Sequence, residues 1–191
     1  EITFSITIDA VNDLPILSAI GAQSTDEDTD MTISLSASDV DIATNGQSLS
    51  YSASSSDASL VTVSVSGDQL SFDVQADQNG SADITVEVSD GNGGSDSETF
   101  TLTVNAVNDA PILSAIGAQS TDEDTDLIIS LSASDVDIAT NGQSLSYSAS
   151  SSDGSLVAVS VSGSSLSFDV QDDQNGSADI TVEVSDGNGG S

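Results

Sequence analysis

The sequence predicts an all-β chain built as tandem antiparallel β-sandwiches. Three observations carry that expectation. Apolar residues alternate with polar ones in short runs, Gly- and Asn-containing turn signals separate the runs, and the whole pattern repeats at an offset of 96 residues, from Val11 to Val107. A period of two places alternate side chains on opposite faces of a strand. One apolar and one polar face per strand fits an antiparallel sheet buried on one side. An acidic, Ser-rich composition is also what a disordered chain carries. Here the apolar residues are not scattered, so a folded chain is the better reading.

The elements follow in order. The first strand is read over 16–20. Met31, Ile33, Leu35 and Ala37 then alternate with polar residues, as do Leu49, Tyr51 and Ala53, and Val61, Val63 and Val65. Leu70, Phe72 and Val74 form the next run, followed by Ile84, Val86 and Val88 and by Phe100, Leu102 and Val104. Turns are read at Asn45-Gly46, Gly67-Asp68, Asn79-Gly80 and Asp90-Gly91-Asn92-Gly93-Gly94. Asn79-Gly80-Ser81 and Asn175-Gly176-Ser177 also match a glycosylation sequon, but as tight turns they need no glycan. About seven short strands per repeat is the size of an immunoglobulin-like sandwich with Greek-key connections. Outward positions carry mostly Ser, Thr and Asp, and no stretch has helical apolar spacing over several turns.

The two copies are nearly identical. Val11-Asn12-Asp13-Leu14-Pro15-Ile16-Leu17 recurs as Val107-Asn108-Asp109-Ala110-Pro111-Ile112-Leu113. About eight of about 85 aligned positions differ, and mildly: Met31 becomes Leu127, Ala58 becomes Gly154 and Thr62 becomes Ala158. Such closeness points to recent duplication within a longer array. Residues 3–10 match 99–106, the last strand of a repeat. The domains are therefore read as 1–10, the last strand of a preceding repeat; 11–106, a complete repeat; and 107–191, a repeat lacking its last strand. Ile2, Phe4, Ile6 and Ile8 fall on one face and need a partner sheet. Two readings stay open. Either the ends cut the array in mid-repeat, or residues 2–9 complete the last domain of a neighbouring copy by strand exchange.

Composition narrows function. The chain has 32 Asp and Glu residues and no Lys, Arg or His, for a formal net charge of −32. No side-chain salt bridge can form, and charge of one sign disfavours the compact state. A bound divalent cation is the natural neutraliser. A polyanion cannot neutralise phosphates, which excludes nucleic acid and anionic membrane surfaces as partners. No apolar run approaches the length of a membrane span. The absence of Cys excludes disulfides and thiolate metal sites. Without His, Cys, Lys or Arg, catalytic triads and Schiff bases are unavailable, and the chain is read as no enzyme. Sugar sites usually present exposed aromatic faces. Here there is no Trp, and Phe72, Phe100, Tyr51 and their repeats fall in phase with core positions. A calcium-bridged carbohydrate site remains a minor alternative without support of its own.

Oxygen ligands cluster at strand ends: Asp9 to Asp13, Asp26-Glu27-Asp28, Asp39-Val40-Asp41 with Asn45, Asp77-Gln78-Asn79 and Asp90-Gly91-Asn92. Calcium takes six to eight such oxygens. Two carboxylates one residue apart converge where the backbone turns out of a strand. A single pair of this kind is also common in solvated loops.

These motifs, in this order, carry a family resemblance across essentially the whole chain. Asp39-Val40-Asp41 with Asn45-Gly46 and Tyr51-Ser52 resembles the cadherin D-x-D-x-G-x-N-G…Y-S pattern. Asp9-Ala10-Val11-Asn12-Asp13-Leu14-Pro15 resembles the cadherin linker, and Val88-Ser89-Asp90-Gly91 the late A-x-D-x-G segment. The V-N-D-A-P start, the E-D-T element and the D-G-N-G-G hairpin are more similar to cadherin-like repeats of giant bacterial surface adhesins. The resemblance implies calcium where successive domains join. Glu27 and Asp77 would serve from the upper domain, Asn105, Asn108 and Asp109 from the linker, and Asp135, Asp137, Asn141 and Asp186 from the lower domain. At the start of the chain the corresponding set would be Asp9, Asn12, Asp13, Asp39, Asp41, Asn45 and Asp90, while Glu123 and Asp173 would face a following repeat. There are three departures from the family pattern: Asp77 is followed by Gln78-Asn79 where the family has D-R-E, Ala43 replaces a glycine, and Asn105 replaces the linker aspartate; the first and the last lower the expected charge. The implied function is a calcium-rigidified extracellular extender of a bacterial adhesin, with neighbouring repeats as partners. The alternative is a subunit of an extracellular fibre assembled head to tail with other copies.

Overall fold

From residue 16 onward, the longer runs of alternating apolar and polar residues form strands. The computed structural model describes residues 1–138 and 142–189. It divides into two units, Glu1–Val107 and Asn108–Ser191. No helix among the described residues is long and apolar enough to cross a membrane.

Unit 1 contains β1 (Ile16–Leu17), β2 (Gln23–Asp26), β3 (Met31–Ser34), β4 (Ala37–Ser38), a one-turn helix α1 (Ile42–Asn45), β5 (Ser50–Ser55), β6 (Val61–Ser66), β7 (Gln69–Val74), β8 (Gly80–Ser89) and β9 (Ser95–Asn105). One sheet has the order β2-β9-β8-β5, a second the order β3-β7-β6, and β1 pairs with β4. The steps from β5 to β6 and from β7 to β8 pass from one sheet to the other, while β6–β7 and β8–β9 are hairpins. This is the immunoglobulin-like sandwich that strand number and spacing predicted. Alternate side chains fill the space between the sheets. Leu70, Phe72 and Val61 come from one side and Ile84, Val86, Val88, Leu102 and Val104 from the other, all nearly inaccessible. Phe72 and Phe100 meet edge to face, with ring centroids 6.3 Å apart at 72°, a geometry that aromatic quadrupoles favour.

Four details differ from the sequence expectation. Strand 16–20 shortens to Ile16–Leu17: Ser18 N still donates to Ser36 O at 2.8 Å, but side chains also serve this segment, Asp96 Oδ2 accepting Leu17 N at 2.9 Å and Glu98 Oε2 accepting Ile20 N at 3.0 Å. The run 31–37 breaks at Leu35, so that β3 pairs with β7 and β4 with β1. An additional strand, β2, runs parallel to β9, with Gln23 opposite Leu102. Asn45-Gly46 is not a simple turn but the end of α1, closed by Gly46 at φ 66°, a left-handed conformation that glycine adopts without steric cost.

Unit 2 contains β10 (Ile112–Leu113), β11 (Leu127–Ser130), β12 (Ala133–Ser134), β13 (Ser146–Ser151), β14 (Val157–Ser162), β15 (Ser165–Val170) and β16 (Ile180–Ser185). Its sheets are β11-β15-β14, β13-β16 and β10-β12. Registers reproduce those of unit 1: Phe168 lies opposite Val159 and Leu127, as Phe72 lies opposite Val63 and Met31. Burial is lower. Ile84 and Val86 are fully buried, whereas their counterparts Ile180 and Val182 are only half-buried. Residues 1–15 form no strand, and Ile2, Phe4, Ile6 and Ile8 are exposed.

Candidate metal centre

The tight turn between β8 and β9 places Asp90 at one end of the sandwich. Its carboxylate folds back over the turn, with Oδ1 accepting the amides of Asn92 at 2.7 Å and Gly94 at 2.9 Å. Gly94 is required by this close approach. A methyl group built on it would overlap the Asp90 carboxylate and press on Pro15 Cδ at 3.1 Å. Asp90 Oδ2 accepts Asn12 Nδ2 at 2.7 Å, which ties the segment before β1 to the turn. The next residue continues the network: Asp13 N donates to Asp41 Oδ2 at 2.7 Å. Asp41 N in turn donates to Asp39 Oδ1 at 2.7 Å, the local arrangement that lets two carboxylates of a D-x-D sequence share one turn. Gln47, just past α1, closes the network by donating Nε2 to Asn12 Oδ1 at 2.5 Å.

Asp41 and Asp90 are buried. Within the network Asp39 Oδ2 and Gln47 Oε1 are buried without a hydrogen-bond donor. Buried acceptors of this kind are costly unless something positive or hydrogen-bearing meets them, and the chain has no cationic side chain. The Asn12 amide holds the Asp90 carboxyl below the usual carboxylate range, against desolvation that pushes it up, with the amides of Asn92 and Gly94 adding to the lowering. A carboxyl depressed on folding contributes stability above the ordinary aspartate value of about 3.9, and that contribution is lost as pH falls through the lower value.

Unit 2 repeats the arrangement. Asn108 Nδ2 donates to Asp186 Oδ2 at 2.7 Å, Asp109 N to Asp137 Oδ2 at 2.7 Å, Asp137 N to Asp135 Oδ1 at 2.8 Å and Gln143 Nε2 to Asn108 Oδ1 at 2.5 Å. Asp137 and Asp186 are buried, and Asp135 Oδ2 and Gln143 Oε1 lack a donor. In each unit the donor set is made of hard oxygens with no nitrogen or sulfur ligand, which fits calcium and does not suit zinc or copper.

A second acidic group lies at the other end of unit 1, near Asn105, separated from Ser95 by the length of β9, roughly 33 Å at the usual rise per residue. Glu27 is buried. Its amide donates to Asn105 O at 2.9 Å and its Oε1 accepts Val107 N at 2.6 Å. Asn105 Nδ2 donates to Asp26 Oδ1 at 3.1 Å. Asp28 and Asp77 both take left-handed backbone, φ 60° and 56°, and Asp77 N donates to Asp28 Oδ1 at 3.0 Å. In unit 2 Asp124 and Asp173 repeat this pair at 2.8 Å, but Glu123 is exposed.

Of the residues singled out from sequence, Asn12, Asp13, Asp39, Asp41 and Asp90 therefore share one network, as do Asn108, Asp109, Asp135, Asp137 and Asp186. Glu27 and Asn105 meet near the other end of unit 1, where Asp77 pairs with Asp28. Asp9 is exposed, in neither network. The side chain of Asn45, and Asn141 altogether, lie outside the described residues. Sequence reasoning missed Gln47 and Gln143 as members. The one available signal was their position directly after the Asn-Gly that ends the acidic loop.

Both units match the family model described as Bacterial Ig domain, over residues 12–103 and 108–191. Among solved structures, PcdhgB3 EC1-4 matches with a TM-score of 0.51 at 16% identity, covering 93% of this chain and 47% of that one. Human CDH23 EC21-23 matches with a TM-score of 0.48 at 16% identity over 86% of this chain and 56% of that one. Protocadherin Gamma B2 extracellular cadherin domains 3-6 matches with a TM-score of 0.42 at 19% identity over 94% and 50%. The chain thus spans about half the length of these cadherin structures. No curated protein sequence matches it.

Proposed function

The chain belongs to the bacterial Ig domain family, and we propose that it is a calcium-rigidified extracellular repeat, a section of the extender of a bacterial surface adhesin. The observation that carries this reading is the repeated oxygen network with its buried, donor-less carboxylate oxygens, Asp39 Oδ2 and Asp135 Oδ2, in a chain without a cationic side chain. Calcium would be held by Asp39, Asp41 and Asp90, with Asn12 and Gln47 as neutral oxygen donors, and by Asp135, Asp137, Asp186, Asn108 and Gln143 in the second unit. The ion supplies the positive charge that the carboxylates lack. Such a site at each start of a repeat, and Glu27 with Asp77 at the far end, would let successive repeats of the array share ions and resist bending. A location outside the cell fits this reading, since extracellular calcium modules bind in the range of about 10⁻⁴–10⁻³ M.

The test is thermal unfolding with calcium against a chelator. Calcium at about ten times its dissociation constant adds about 1.4 kcal/mol per site, or a rise of roughly 5–10 °C for a domain of this size. Magnesium at equal concentration should do less. The double change Asp39→Asn with Asp135→Asn keeps an oxygen for the Asp41 and Asp137 amides. It should abolish the calcium shift without lowering the metal-free melting temperature. A calcium response no larger than that of sodium chloride at equal ionic strength would defeat the proposal.

A further inference from the structure

An asparagine followed by glycine is chemically unstable in water. The glycine nitrogen can swing onto the asparagine Cγ, and glycine has no side chain to hold it off. Each unit carries three such pairs, at Asn45, Asn79 and Asn92 and at Asn141, Asn175 and Asn188. Their surroundings differ. Gly80, after Asn79, lies in the β8–β9 ladder opposite Val104. Asn92 instead sits in the β8–β9 turn, with Gly91 before it and Gly93 and Gly94 after it, and both Asn92 and Gly93 are exposed. The other amides of this turn are taken. Gly91 N donates to Ser89 Oγ at 3.2 Å, and Asn92 N and Gly94 N donate to Asp90 Oδ1. Among the described residues, the Gly93 N–H and the Asn92 side-chain amide have no hydrogen-bond partner. Gly93 stands at φ 102°, backbone that glycine enters and leaves without steric cost. The turn of unit 2 is built alike: Gly187 N donates to Ser185 Oγ at 3.2 Å, Asn188 N to Asp186 Oδ1 at 2.8 Å, and Gly189 stands at φ 108°.

We propose that Asn92 and Asn188 are self-modifying sites, where water converts the side-chain amide to a carboxylate in the turn that carries Asp90 or Asp186. Gly93 N, on losing its proton, attacks Asn92 Cγ. A Cγ–N bond forms, the Cγ–Nδ2 bond breaks, and the leaving nitrogen takes up a proton to depart as ammonia. Water then opens the five-membered imide. Addition at Cγ gives aspartate. Addition at the backbone carbonyl gives isoaspartate, in which the main chain runs through the side chain and is one methylene longer. In both cases one amide and one water become one carboxylate and one ammonium ion, with no enzyme and no oxidant.

The place of the reaction gives it a consequence. Isoaspartate at 92 lengthens the turn just before Gly94, which has no slack between the Asp90 carboxylate and the Pro15 ring. The Gly94 amide is then drawn off Asp90 Oδ1, and the network loses part of what orients that carboxylate. The calcium response of the chain should therefore fade as the protein ages. This consequence rests on the calcium reading above; the modification itself does not.

Ageing the folded 191-residue chain in heavy-oxygen water and mapping its peptides by mass tests the proposal. Digestion is by pepsin in acid, since the chain has no Lys or Arg for trypsin and acid halts the reaction. Asn92 and Asn188 should each exchange the amide for an acid that carries heavy oxygen, several-fold faster than Asn79. The rate should be several-fold higher in mildly alkaline than in mildly acidic buffer, and an isoaspartyl methyltransferase should label the product. The calcium-dependent melting shift of the aged chain should fall to half or less of that of the fresh chain. In Asn92→Gln with Asn188→Gln, where closure would need a larger ring, aged and fresh protein should give the same shift. An Asn92 that keeps its amide as long as Asn79 would overturn the proposal, as would amide loss that leaves no isoaspartate. Isoaspartate at 92 with an undiminished calcium shift would overturn its coupling to the network. A fresh chain without any calcium shift would defeat the calcium reading instead, and the mass map would still decide the modification.

Discussion

Asp90 depends on a glycine four residues away. Its carboxylate collects the amides of Asn92 and Gly94 on one oxygen and the Asn12 side chain on the other. Gly94 has no room for a β-carbon, because the carboxylate and the buried Pro15 ring close on it from two sides. Gly94→Ala is expected to destabilise unit 1 by about 1–3 kcal/mol through overpacking. Gly21→Ala, with open space around it, should stay within about 0.5 kcal/mol. Urea unfolding of the two variants measures the contrast, and equal losses would contradict the packing account. At this scale the acidic members of the network were legible, because Asp39-Val40-Asp41 and Asp90-Gly91-Asn92 announce themselves by charge and by the turn they sit in. Gln47 was not, since a neutral amide gives no charge signal. Its role depends on α1 bringing it beside Asn12. The Asp28–Asp77 pair was only half legible for a similar reason. Both residues stand in acidic or polar runs, but their left-handed backbone leaves no trace in the sequence beyond the tolerance of Asp for that conformation.

Strand β9 ties the sheets of unit 1 together. It pairs with β8 on one edge and β2 on the other, sends Phe100, Leu102 and Val104 into the core, and offers Asp96 and Glu98 to the amides of Leu17 and Ile20. Its alternation makes a sharp prediction. Leu102→Ala should cost about 2–5 kcal/mol, the range for emptying a fully buried aliphatic site. Thr103→Ala, one residue along on the solvent face, should cost less than about 0.5 kcal/mol. Chemical denaturation would reveal a wrong register if the two costs came out alike. The same alternation explains which elements could be read in advance. The apolar alternations at 51–53, 61–65, 70–74, 84–88 and 100–104 each lie within a strand, β5 to β9 in turn. β2, Gln23–Asp26, has no apolar side chain to announce it. It exists because β9 presents a free edge, which is a property of the assembled sheet and not of four residues. The break at Leu35 is likewise a tertiary effect. Its amide donates to Asp68 O at 2.7 Å and its side chain is buried, which holds β3 in one sheet while β4 turns away to β1.

The whole molecule folds against its own charge. A formal −32 with no cationic side chain leaves every carboxylate to be neutralised by hydrogen-bond donors, by water or by ions from solution. Backbone amides and Asn, Ser and Thr donors meet some of that demand locally, as at Asp90, Asp41 and Asp57. They offset desolvation, but they do not cancel net charge. The remaining repulsion acts over the Debye length, about 30 Å at 0.01 M salt and about 3 Å at 1 M. Monovalent salt should therefore stabilise the metal-free chain progressively, raising its melting temperature by several degrees over that range, where a protein held by surface ion pairs would lose stability. Calcium should behave differently in two respects. It should act at millimolar concentration, far below the ionic strength at which sodium chloride has the same effect, and its effect should saturate. Asp39→Asn with Asp135→Asn should remove the saturable calcium response and leave the gradual salt response in place, because the variant loses only two charges of a large excess but changes the buried Asp39 and Asp135 carboxylates of the two networks. Melting curves recorded along the two titrations, on parent and variant, separate screening from binding. A flat sodium chloride series would show that self-repulsion does not limit this fold, and net charge would then demand no bound cation.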